Sequence, residues 1–183
     1  AVVHLAANPD IARAATEPAI DFDHGTVLTH NVLEAMRGAG VRRILYALGS
    51  GVYGDLGDRA ADEETGPMRP VSTYGASKLA SEALISAYCH MFGLSGVAFR
   101  MGNVVGPRQT HGVGLDFLWK LMADPGRLDI LGDGRQSKSY IHVEDAVAAI
   151  RMADGKCGEG FSAFNVATGD YITVKEIADL AVE

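Results

Sequence analysis

The sequence predicts an α/β protein built on a mainly parallel, doubly wound sheet. Strand-like and helix-like runs alternate along the 183 residues, and the first three strand-like runs are apolar on both faces. Such runs are typical of strands that helices cover on each side, and the alternation is typical of parallel strands joined by crossover helices. After Pro107 the runs become shorter and less regular, which predicts a small α+β lobe.

The individual elements follow from the spacing of the apolar residues. The predicted strands are Val2–Ala7, Arg43–Leu48, Ser95–Met101, Leu128–Leu131, Ser139–Val143 and Ala163–Ala167. The predicted helices are Pro9–Thr16, Phe22–Arg37, Tyr74–Phe92, Leu115–Ala123, Glu144–Ala153 and Val174–Glu183. Ser72 and Gly93 are the expected N-cap and C-terminal stop of the third helix. A capping box at Thr173 and Glu176 predicts the start of the last one.

Composition and charge exclude several classes of protein. Apolar residues make up 48% of the chain and charged residues 21%, which excludes disorder, collagen and coiled coil. The net charge of −7 argues against a nucleic acid or an anionic membrane as the main partner. No apolar run is long enough to span a bilayer. The two cysteines, Cys89 and Cys157, lack metal-ligand spacing, so we expect no metal site and a cytoplasmic location.

Both ends of the sequence predict a fragment of a longer protein. The chain opens directly on the apolar run Ala1-Val2-Val3, without an initiator Met or a signal peptide. At the other end, the predicted helix stops in mid-pattern without a C-cap.

The stretch Gly49-Ser50-Gly51-Val52-Tyr53-Gly54 matches the dinucleotide-binding pattern G-x-G-x-x-G after a strand. That pattern works only where a helix begins inside it and its N-terminus holds a pyrophosphate. Glycines, prolines and acidic residues follow instead, so no helix is predicted there. We interpret the stretch as a glycine turn at the carboxyl end of a parallel strand, the edge along which α/β sheets bind ligands.

Tyr74 and Lys78 are the first candidates for chemistry. They lie four residues apart on the third predicted helix and therefore share one face. The pair alone is weak evidence, because an amphipathic helix with a surface Lys and a half-buried Tyr has the same pattern. Their helix follows the strand that ends in the glycine turn, and this position favours the functional interpretation.

Seven stretches, taken together, carry a family resemblance. They are Val3-His4-Leu5-Ala6-Ala7, Asn31-Val32-Leu33-Glu34-Ala35, Val52-Tyr53-Gly54, Tyr74-Gly75-Ala76-Ser77-Lys78, Arg100-Met101-Gly102-Asn103-Val104-Val105-Gly106-Pro107, Ile130-Leu131-Gly132-Asp133-Gly134 and Lys138-Ser139-Tyr140-Ile141-His142-Val143. In this order, over essentially the whole chain, they resemble the extended short-chain dehydrogenases/reductases that act as nucleotide-sugar epimerases and dehydratases. The likeness is greatest to UDP-glucose (UDP-galactose) 4-epimerases.

The resemblance implies a partial, Rossmann-like NAD-binding domain with the catalytic helix over residues 1–106. A truncated, mainly substrate-binding lobe over residues 107–183 would be interleaved with it. The family's Gly-rich phosphate loop would precede residue 1, so the 183-residue chain by itself is expected to be inactive. The complete protein is expected to be a homodimer through the helices Phe22–Arg37 and Tyr74–Phe92, which carry the apolar residues Leu28, Leu33, Leu84 and Tyr88.

The resemblance also implies roles for individual residues. Leu5, Ala6 and Ala7 would line the NAD cleft. Tyr74 would take the proton from a sugar hydroxyl while hydride passes to the nicotinamide. Lys78 would hold the cofactor ribose and lower the pKa of Tyr74, because a free phenol with a pKa of ~10 is a poor base at neutral pH.

Asn103 and Lys138 would contact the nucleotide-sugar substrate, a UDP-hexose, with Lys138 at the pyrophosphate. A lysine is a point charge suited to phosphate. Two plainer interpretations stay open: a solvated surface residue for Lys138, and a turn residue before Gly106-Pro107 for Asn103.

The chain departs from the family's pattern at two places. Gly49 stands where a Ser or Thr usually contacts the reacting sugar oxygen, and Ser50 follows one place later. Ser50 replaces that hydroxyl only if the strand has already ended or carries a bulge, because one step along a strand reverses the side chain. Gly25-Thr26 stand where the family usually has Asn-Val.

Three functions are therefore compared. The first is an NAD-dependent nucleotide-sugar 4-epimerase. The second, a 4,6-dehydratase or decarboxylase, ranks lower because dehydratases typically place Thr-Asp-Glu where this chain has Gly49-Ser50-Gly51. The third is a non-catalytic nucleotide-binding homologue or a truncated remnant, which Gly25 and Gly49 favour and the intact Tyr74 and Lys78 oppose.

Overall fold

The computed structural model describes residues 1–57 and 59–183. The chain forms two compact units. The first comprises Ala1–Met101 and Ala148–Val166, and the second comprises Gly102–Val147 and Ala167–Glu183.

Eight strands and six α-helices are assigned among the described residues. The strands are β1 (Val2–His4), β2 (Arg43–Gly49), β3 (Ser95–Met101), β4 (Asn103–Val105), β5 (Ser137–Lys138), β6 (Tyr140–His142), β7 (Gly160–Val166) and β8 (Ile172–Thr173). The α-helices are α1 (Ala19–Asp21), α2 (Leu28–Gly38), α3 (Thr73–Phe92), α4 (Val113–Ala123), α5 (Val143–Lys156) and α6 (Val174–Val182). A π-helical segment (Phe22–Val27) joins α1 to α2, and 3₁₀ turns occur at Ile11–Ala15 and Ser50–Val52.

The first unit is built on a four-stranded parallel sheet in the order β1-β2-β3-β7. Most residues of β2 and β3 are buried, as the prediction of strands covered on both faces requires. Ile44 and Tyr46 of β2 form the core with Leu33 of α2 and Ile85 of α3. The α/β class and the parallel sheet predicted from the sequence are thus confirmed.

The position of α3 over this sheet depends on a glycine. A Cβ added to Gly96 of β3 would lie 2.8 Å from both Ile85 Cγ2 and Cys89 Sγ, so only glycine allows the helix this close. The helix begins at the predicted N-cap, where Ser72 Oγ accepts a hydrogen bond from the Gly75 N–H at 3.1 Å. It ends at Gly93, whose φ of 66° is the left-handed conformation that glycine adopts without strain.

The second unit contains two small sheets. Strands β4 and β6 pair in parallel, β5 and β8 pair antiparallel, and α4 packs against α6. Phe117 of α4, Ile141 of β6 and Ala178 of α6 are buried. The capping box predicted for the last helix is present, with Thr173 and Glu176 each satisfying the other's backbone N–H.

Several predicted elements were wrong in type or extent. Leu128–Leu131 is not a strand: the run is only four residues long, turns flank it, and Leu131 is 85% exposed. The sequence prediction missed three short strands, β4, β5 and β8, which are three, two and two residues long. The predicted helix Pro9–Thr16 is a 3₁₀ turn, and the one predicted over Phe22–Arg37 begins at Ala19 and contains the π-helical segment. No helix in residues 1–57 and 59–183 has the length and apolarity needed to cross a membrane.

Candidate active site

The first turn of α3 packs against the turn that follows β2, and a glycine makes this possible. A Cβ added to Gly75 would lie 2.6 Å from the Gly51 carbonyl oxygen and 3.2 Å from the Pro70 side chain. Because Gly75 has no Cβ, the Ser50–Val52 turn lies directly against the residues that carry Tyr74. The carboxyl end of β2 and the start of the helix therefore form one site.

Tyr74 and Lys78 lie on the same face of α3, as their spacing predicts. The Lys78 Nζ lies 5.7 Å from the centre of the Tyr74 ring and 4.9 Å from the centre of the Tyr46 ring. It donates a hydrogen bond to the Ala47 carbonyl of β2 at 3.0 Å. Lys78 is only 3% exposed, so the surface-lysine interpretation is wrong.

Burial dominates the electrostatics of this pair. It lowers the pKa of Lys78 to about 8, because a buried ammonium loses its hydration. Burial, and then the nearby carboxylate of Asp21, raise the pKa of Tyr74 above its ordinary value. This direction is opposite to the one that the family resemblance implies, because burial and the Asp21 carboxylate both disfavour the phenolate.

Ser50 occupies a turn rather than a strand. Strand β2 ends at Gly49, which pairs with Met101, and Ser50 opens the 3₁₀ turn. The alternation of faces along a strand therefore no longer governs the Ser50 side chain, which is exposed. A Cβ on Gly49 would meet only an ordinary contact, the Met101 carbonyl oxygen at 3.9 Å.

A buried network anchors the chain just after this turn. The Tyr53 hydroxyl accepts a hydrogen bond from Arg100 at 2.9 Å and donates one to Asn165 Oδ1 at 2.6 Å. Arg100 in turn forms a two-pronged ion pair with Glu82 of α3, with 3.0 Å between Nε and Oε2. Arg100 and Glu82 are 5% and 6% exposed. The network fixes one end of the glycine turn to β3, α3 and β7.

The predicted cofactor residues Leu5, Ala6 and Ala7 follow β1 at the carboxyl edge of the sheet. Leu5 is 62% exposed, Ala6 is exposed and Ala7 is half-buried. The preceding His4 points into the unit, where its Nε2 lies 3.0 Å from Thr29 Oγ1. The three small or aliphatic residues thus offer an open surface beside a buried strand end.

The predicted substrate residues belong to the second unit. Asn103 begins β4, and its side-chain amide donates to the Ser139 carbonyl at 3.2 Å. It therefore belongs to a strand, and the turn-residue interpretation is wrong. Lys138 lies exposed on β5, opposite Ile172 of β8.

Sequence reasoning missed a buried carboxylate beside Tyr74. Asp21 accepts hydrogen bonds from Asn8 Nδ2 at 2.8 Å and from Thr73 Oγ1 at 2.7 Å. These residues are 13 and 52 positions away from Asp21 along the chain. Only the fold brings them together, and their polar side chains in helix-like and loop-like sequence gave no signal of burial.

The change from Asn to Gly at position 25 has a steric explanation. A Cβ on Gly25 would collide with Ser77 Oγ, which donates a hydrogen bond to the Asp21 carbonyl at 2.6 Å. In this chain the Ser77 hydroxyl occupies the space that a side chain at position 25 would need. Gly25 therefore belongs to the packing of α3 against the π-helical segment.

Residues 1–167 match the sequence model that defines the NAD dependent epimerase/dehydratase family. The chain belongs to this family. The NAD named in the family description agrees with the cofactor that the family resemblance implies.

Curated relatives of this epimerase/dehydratase chain include both reaction types. UDP-glucose 4-epimerase of Mycolicibacterium smegmatis is 34% identical over 180 residues, covering 96% of this chain and 57% of that protein. The dTDP-glucose 4,6-dehydratase of Streptomyces griseus is 29% identical over 182 residues, covering 100% and 55%. The chain thus spans little more than half the length of the curated relatives it matches.

Solved structures of family members agree with the fold. A UDP-galactose 4-epimerase is 41% identical with a TM-score of 0.87, covering 98% of this chain and 59% of that one. The UDP-glucose 4-epimerase of Thermus thermophilus, solved with NAD, is 32% identical with a TM-score of 0.86, covering 98% and 60%. MoeE5, solved with UDP-glucuronic acid and NAD, is 31% identical with a TM-score of 0.90, also covering 98% and 60%.

Proposed function

We propose that the complete protein is an NAD-dependent nucleotide-sugar epimerase that interconverts UDP-glucose and UDP-galactose by transient oxidation at C4. The observation that carries this proposal is the pair formed by the half-buried Tyr74 and the buried Lys78 at the carboxyl edge of a parallel sheet. A phenol and an ammonium on one helical face can exchange a proton with a sugar hydroxyl and hold a cofactor ribose. The epimerases among the relatives support the same reaction.

The surroundings of Lys78 fit a ribose ligand. Of the three protons on its Nζ, one is directed to the Ala47 carbonyl, the only acceptor found for it among the described residues. A buried donor without a partner is costly, so the remaining protons suit the hydroxyls of a bound cofactor. Leu5, Ala6 and Ala7 would line the cleft beside it.

In the proposed mechanism, the Tyr74 oxygen accepts the proton of the sugar C4 hydroxyl and later returns it. When bound, NAD supplies hydride acceptance and return, together with the positive charge of its oxidised ring. The Lys78 ammonium favours the Tyr74 phenolate against the burial that opposes it. The Ser50 hydroxyl donates a hydrogen bond to the reacting oxygen in place of the usual Ser or Thr at position 49.

Substrate binding is assigned mainly to residues 107–183, with Asn103 just before them, and NAD binding to residues 1–106. Lys138 is exposed on β5 and has no acidic partner among the described residues, so its charge is available for a pyrophosphate. Asn103 would hydrogen-bond the nucleotide-sugar. The two reduced cysteines, Cys89 and Cys157, support a cytoplasmic location.

A homodimer through α2 and α3 is part of the proposal. The two helices pack side by side, and the Tyr88 hydroxyl donates to Glu34 Oε1 at 2.8 Å across them. Leu33 does not belong to this surface, because it is fully buried in the core, whereas Met91 and Phe92 are 68% and 43% exposed. A folded complete protein that stays monomeric in light scattering at micromolar concentration would contradict the dimer.

The decisive experiment is to incubate the complete protein with UDP-glucose or UDP-galactose and to identify the product. Formation of the other hexose supports the epimerase. A 4-keto-6-deoxy sugar from a nucleotide-glucose would identify a dehydratase, the second candidate, which the dehydratases among the relatives favour. Bound NAD without turnover of any nucleotide sugar would identify a non-catalytic homologue.

A further inference from the structure

A buried carboxylate links the segment after β1 to the helix that carries Tyr74. Asp21, at the end of α1, is 2% exposed. Its Oδ1 accepts from Asn8 Nδ2 at 2.8 Å and its Oδ2 accepts from Thr73 Oγ1 at 2.7 Å. Its main-chain carbonyl accepts from Ser77 Oγ at 2.6 Å. Both side-chain oxygens and the carbonyl of one residue are thus satisfied by groups from two other segments.

The partners of Asp21 are the neighbours of the proposed catalytic residues. Thr73 and Ser77 lie immediately before Tyr74 and immediately before Lys78. Asn8 directly follows Leu5, Ala6 and Ala7, the predicted lining of the cofactor cleft. Its amide is held in one orientation, since Oδ1 accepts from the Asp10 N–H at 3.0 Å and Nδ2 donates to the Asp10 carbonyl at 2.8 Å.

We propose that Asp21 is a positioning residue for Tyr74: it ties the cofactor-lining segment to the first turn of α3 and places a fixed negative charge beside the phenol. This inference rests on the proposed function for its catalytic consequence. The tether holds Tyr74 at a constant distance from the cofactor side of the site. The negative charge of Asp21 favours the protonated phenol of Tyr74. The positive charge that NAD supplies when bound would oppose this effect.

The charges around Tyr74 make the second role measurable. Asp21 faces it from α1, Lys78 from α3 itself and the neutral Tyr46 from β2, while His4 on β1 faces Lys78. Within the part of the chain that the structure describes, Asp21 is the one charged group that adds to burial in raising the pKa of Tyr74. Removing its charge should therefore lower that pKa.

Two substitutions separate the charge from the tether. In Asp21→Asn, the new Oδ1 still accepts from Asn8 and the new amide N–H can donate to the Thr73 hydroxyl, which also accepts. Both hydrogen bonds survive and only the charge is lost. In Thr73→Val the side-chain tether from Asp21 to the first turn of α3 is lost, while the charge and the hydrogen bond from Ser77 to the Asp21 carbonyl remain. Thr73→Ser restores the hydroxyl. Asp23→Asn, an exposed residue of the adjoining segment, is the matched control for loss of one charge.

The charge is tested by ultraviolet titration of the complete protein. Subtracting the curve of Tyr74→Phe from that of the parent isolates the Tyr74 phenol. We expect its midpoint to fall by about 0.5 to 1 pH unit in Asp21→Asn and to stay in place in Asp23→Asn. An unmoved midpoint in Asp21→Asn overturns the proposal. The titration needs no turnover, so it decides the matter even if the protein proves not to be an epimerase.

The tether is tested by kinetics with the nucleotide sugar. We expect Thr73→Val to lower kcat by about tenfold with KM changed less than about twofold, because a misplaced base weakens the reaction more than binding. Thr73→Ser should restore kcat. A Thr73→Val protein with the parent's kcat overturns the proposal. If Thr73→Val does not fold, the titration of Asp21→Asn, which keeps the hydrogen bonds and removes only the charge, can still overturn the proposal.

Discussion

The two sides of the candidate site in the first unit are held in opposite ways. Tyr74 and Lys78 lie on a capped helix whose first turn is tied down by Asp21 and Gly75, and Lys78 is almost completely buried. Ser50 lies exposed between two glycines, and a Cβ at Gly51 would contact nothing within 4 Å. The side that carries the proposed acid/base residues is therefore preorganised, and the side that carries the Ser50 hydroxyl has space to change.

This difference explains why the chain keeps one part of the family's pattern and departs from another. Shifting the first turn of α3 would disturb the buried hydrogen bond from Ser77 to the Asp21 carbonyl and the hydrogen bond from Lys78 to the Ala47 carbonyl, which is costly. Moving a hydroxyl from position 49 to position 50 leaves the backbone of the turn free to adapt. The turn is held at its far end, where Val52 is buried and Tyr53 joins Arg100 and Asn165, and the Ser50 side chain before it stays exposed.

The largest expected effect is that of Tyr74→Phe on turnover. Without the phenolic oxygen no group on this face of α3 can exchange the sugar's proton, so kcat should fall by at least about 10³. NAD binding measured by calorimetry should stay near that of the parent. The control is Tyr171→Phe, which changes an exposed tyrosine of the second unit. A Tyr74→Phe protein that kept most of its activity would sink the proposed mechanism.

The anchor beyond the glycine turn is tested by Arg100→Met. The substitution leaves Glu82 buried without its partner, and breaking a buried pair in this way costs about 3–5 kcal/mol. The control is the exposed ion pair of Arg127 and Asp129, whose Nε and Oδ1 atoms lie 3.0 Å apart. Arg127→Met should change the free energy of unfolding by less than about 1 kcal/mol. Equal losses of the free energy of unfolding for the two variants, measured by urea denaturation, would contradict the expectation that the buried ion pair contributes more than the exposed one.

Burial of the Lys78 ammonium at the proposed active site should reduce the free energy of unfolding. Its pKa is about 8 in the folded protein, against an ordinary value of 10.5 for a lysine. Below pH 8 both states carry the proton, and burying the charge costs on the order of 3 kcal/mol. Between pH 8 and 10.5 the unfolded state binds the extra proton, so stability rises with pH.

Lys78→Met should therefore raise the free energy of unfolding at pH 7, and its advantage over the parent should shrink as the pH rises through this range. Lys156→Met, which changes an exposed lysine at the end of α5, should show neither effect. Urea denaturation at pH 7 and pH 10 measures both variants. A less stable Lys78→Met protein at pH 7 would mean that the hydrogen bond to Ala47 outweighs the loss of hydration.

The sequence predicts the parts of the fold that many buried side chains determine. Strand β3 has the predicted bounds, β2 extends one residue further, and α3 begins one residue earlier. These elements have long apolar runs and, for α3, capping residues at both ends. Strands β4, β5 and β8 are too short to show a period, and backbone pairing rather than burial defines them.

The same limit applies to the site. Tyr74 and Lys78 could be paired from the sequence because four residues make one helical step. The bridge from Asn8 through Asp21 to Thr73 joins three separate segments, so no local spacing reveals it. The sequence predicted Leu33 to be a residue of the dimer surface, but it is buried in the core. An amphipathic pattern does not distinguish apolar residues that pack in the core from those that contact a partner.

The smallest expected effect concerns the adaptable side of the site. If Ser50 has taken over the hydrogen bond to the reacting oxygen, Ser50→Ala should lower kcat by at least about tenfold. Loss of one such donor typically costs about 10²–10³ in kcat, and water that replaces part of the hydrogen bond reduces the loss. Gly49→Ser should then give no gain. Its side chain fits without a clash, since Gly49 has an extended backbone with φ of −116° and only one distant contact.

The opposite pair of results would mean that the hydroxyl is lost rather than moved. In that case Gly49→Ser should raise kcat, because it restores the usual donor on the last residue of β2, and Ser50→Ala should have little effect. Steady-state kinetics of the complete protein with UDP-galactose distinguish the two cases, and the double variant Gly49→Ser with Ser50→Ala tests whether position 49 suffices. We expect the loss of kcat in Ser50→Ala and no gain in Gly49→Ser. Strand β2 ends at Gly49 and the turn begins at Ser50, so the alternation of faces along a strand does not turn the Ser50 hydroxyl away from the substrate.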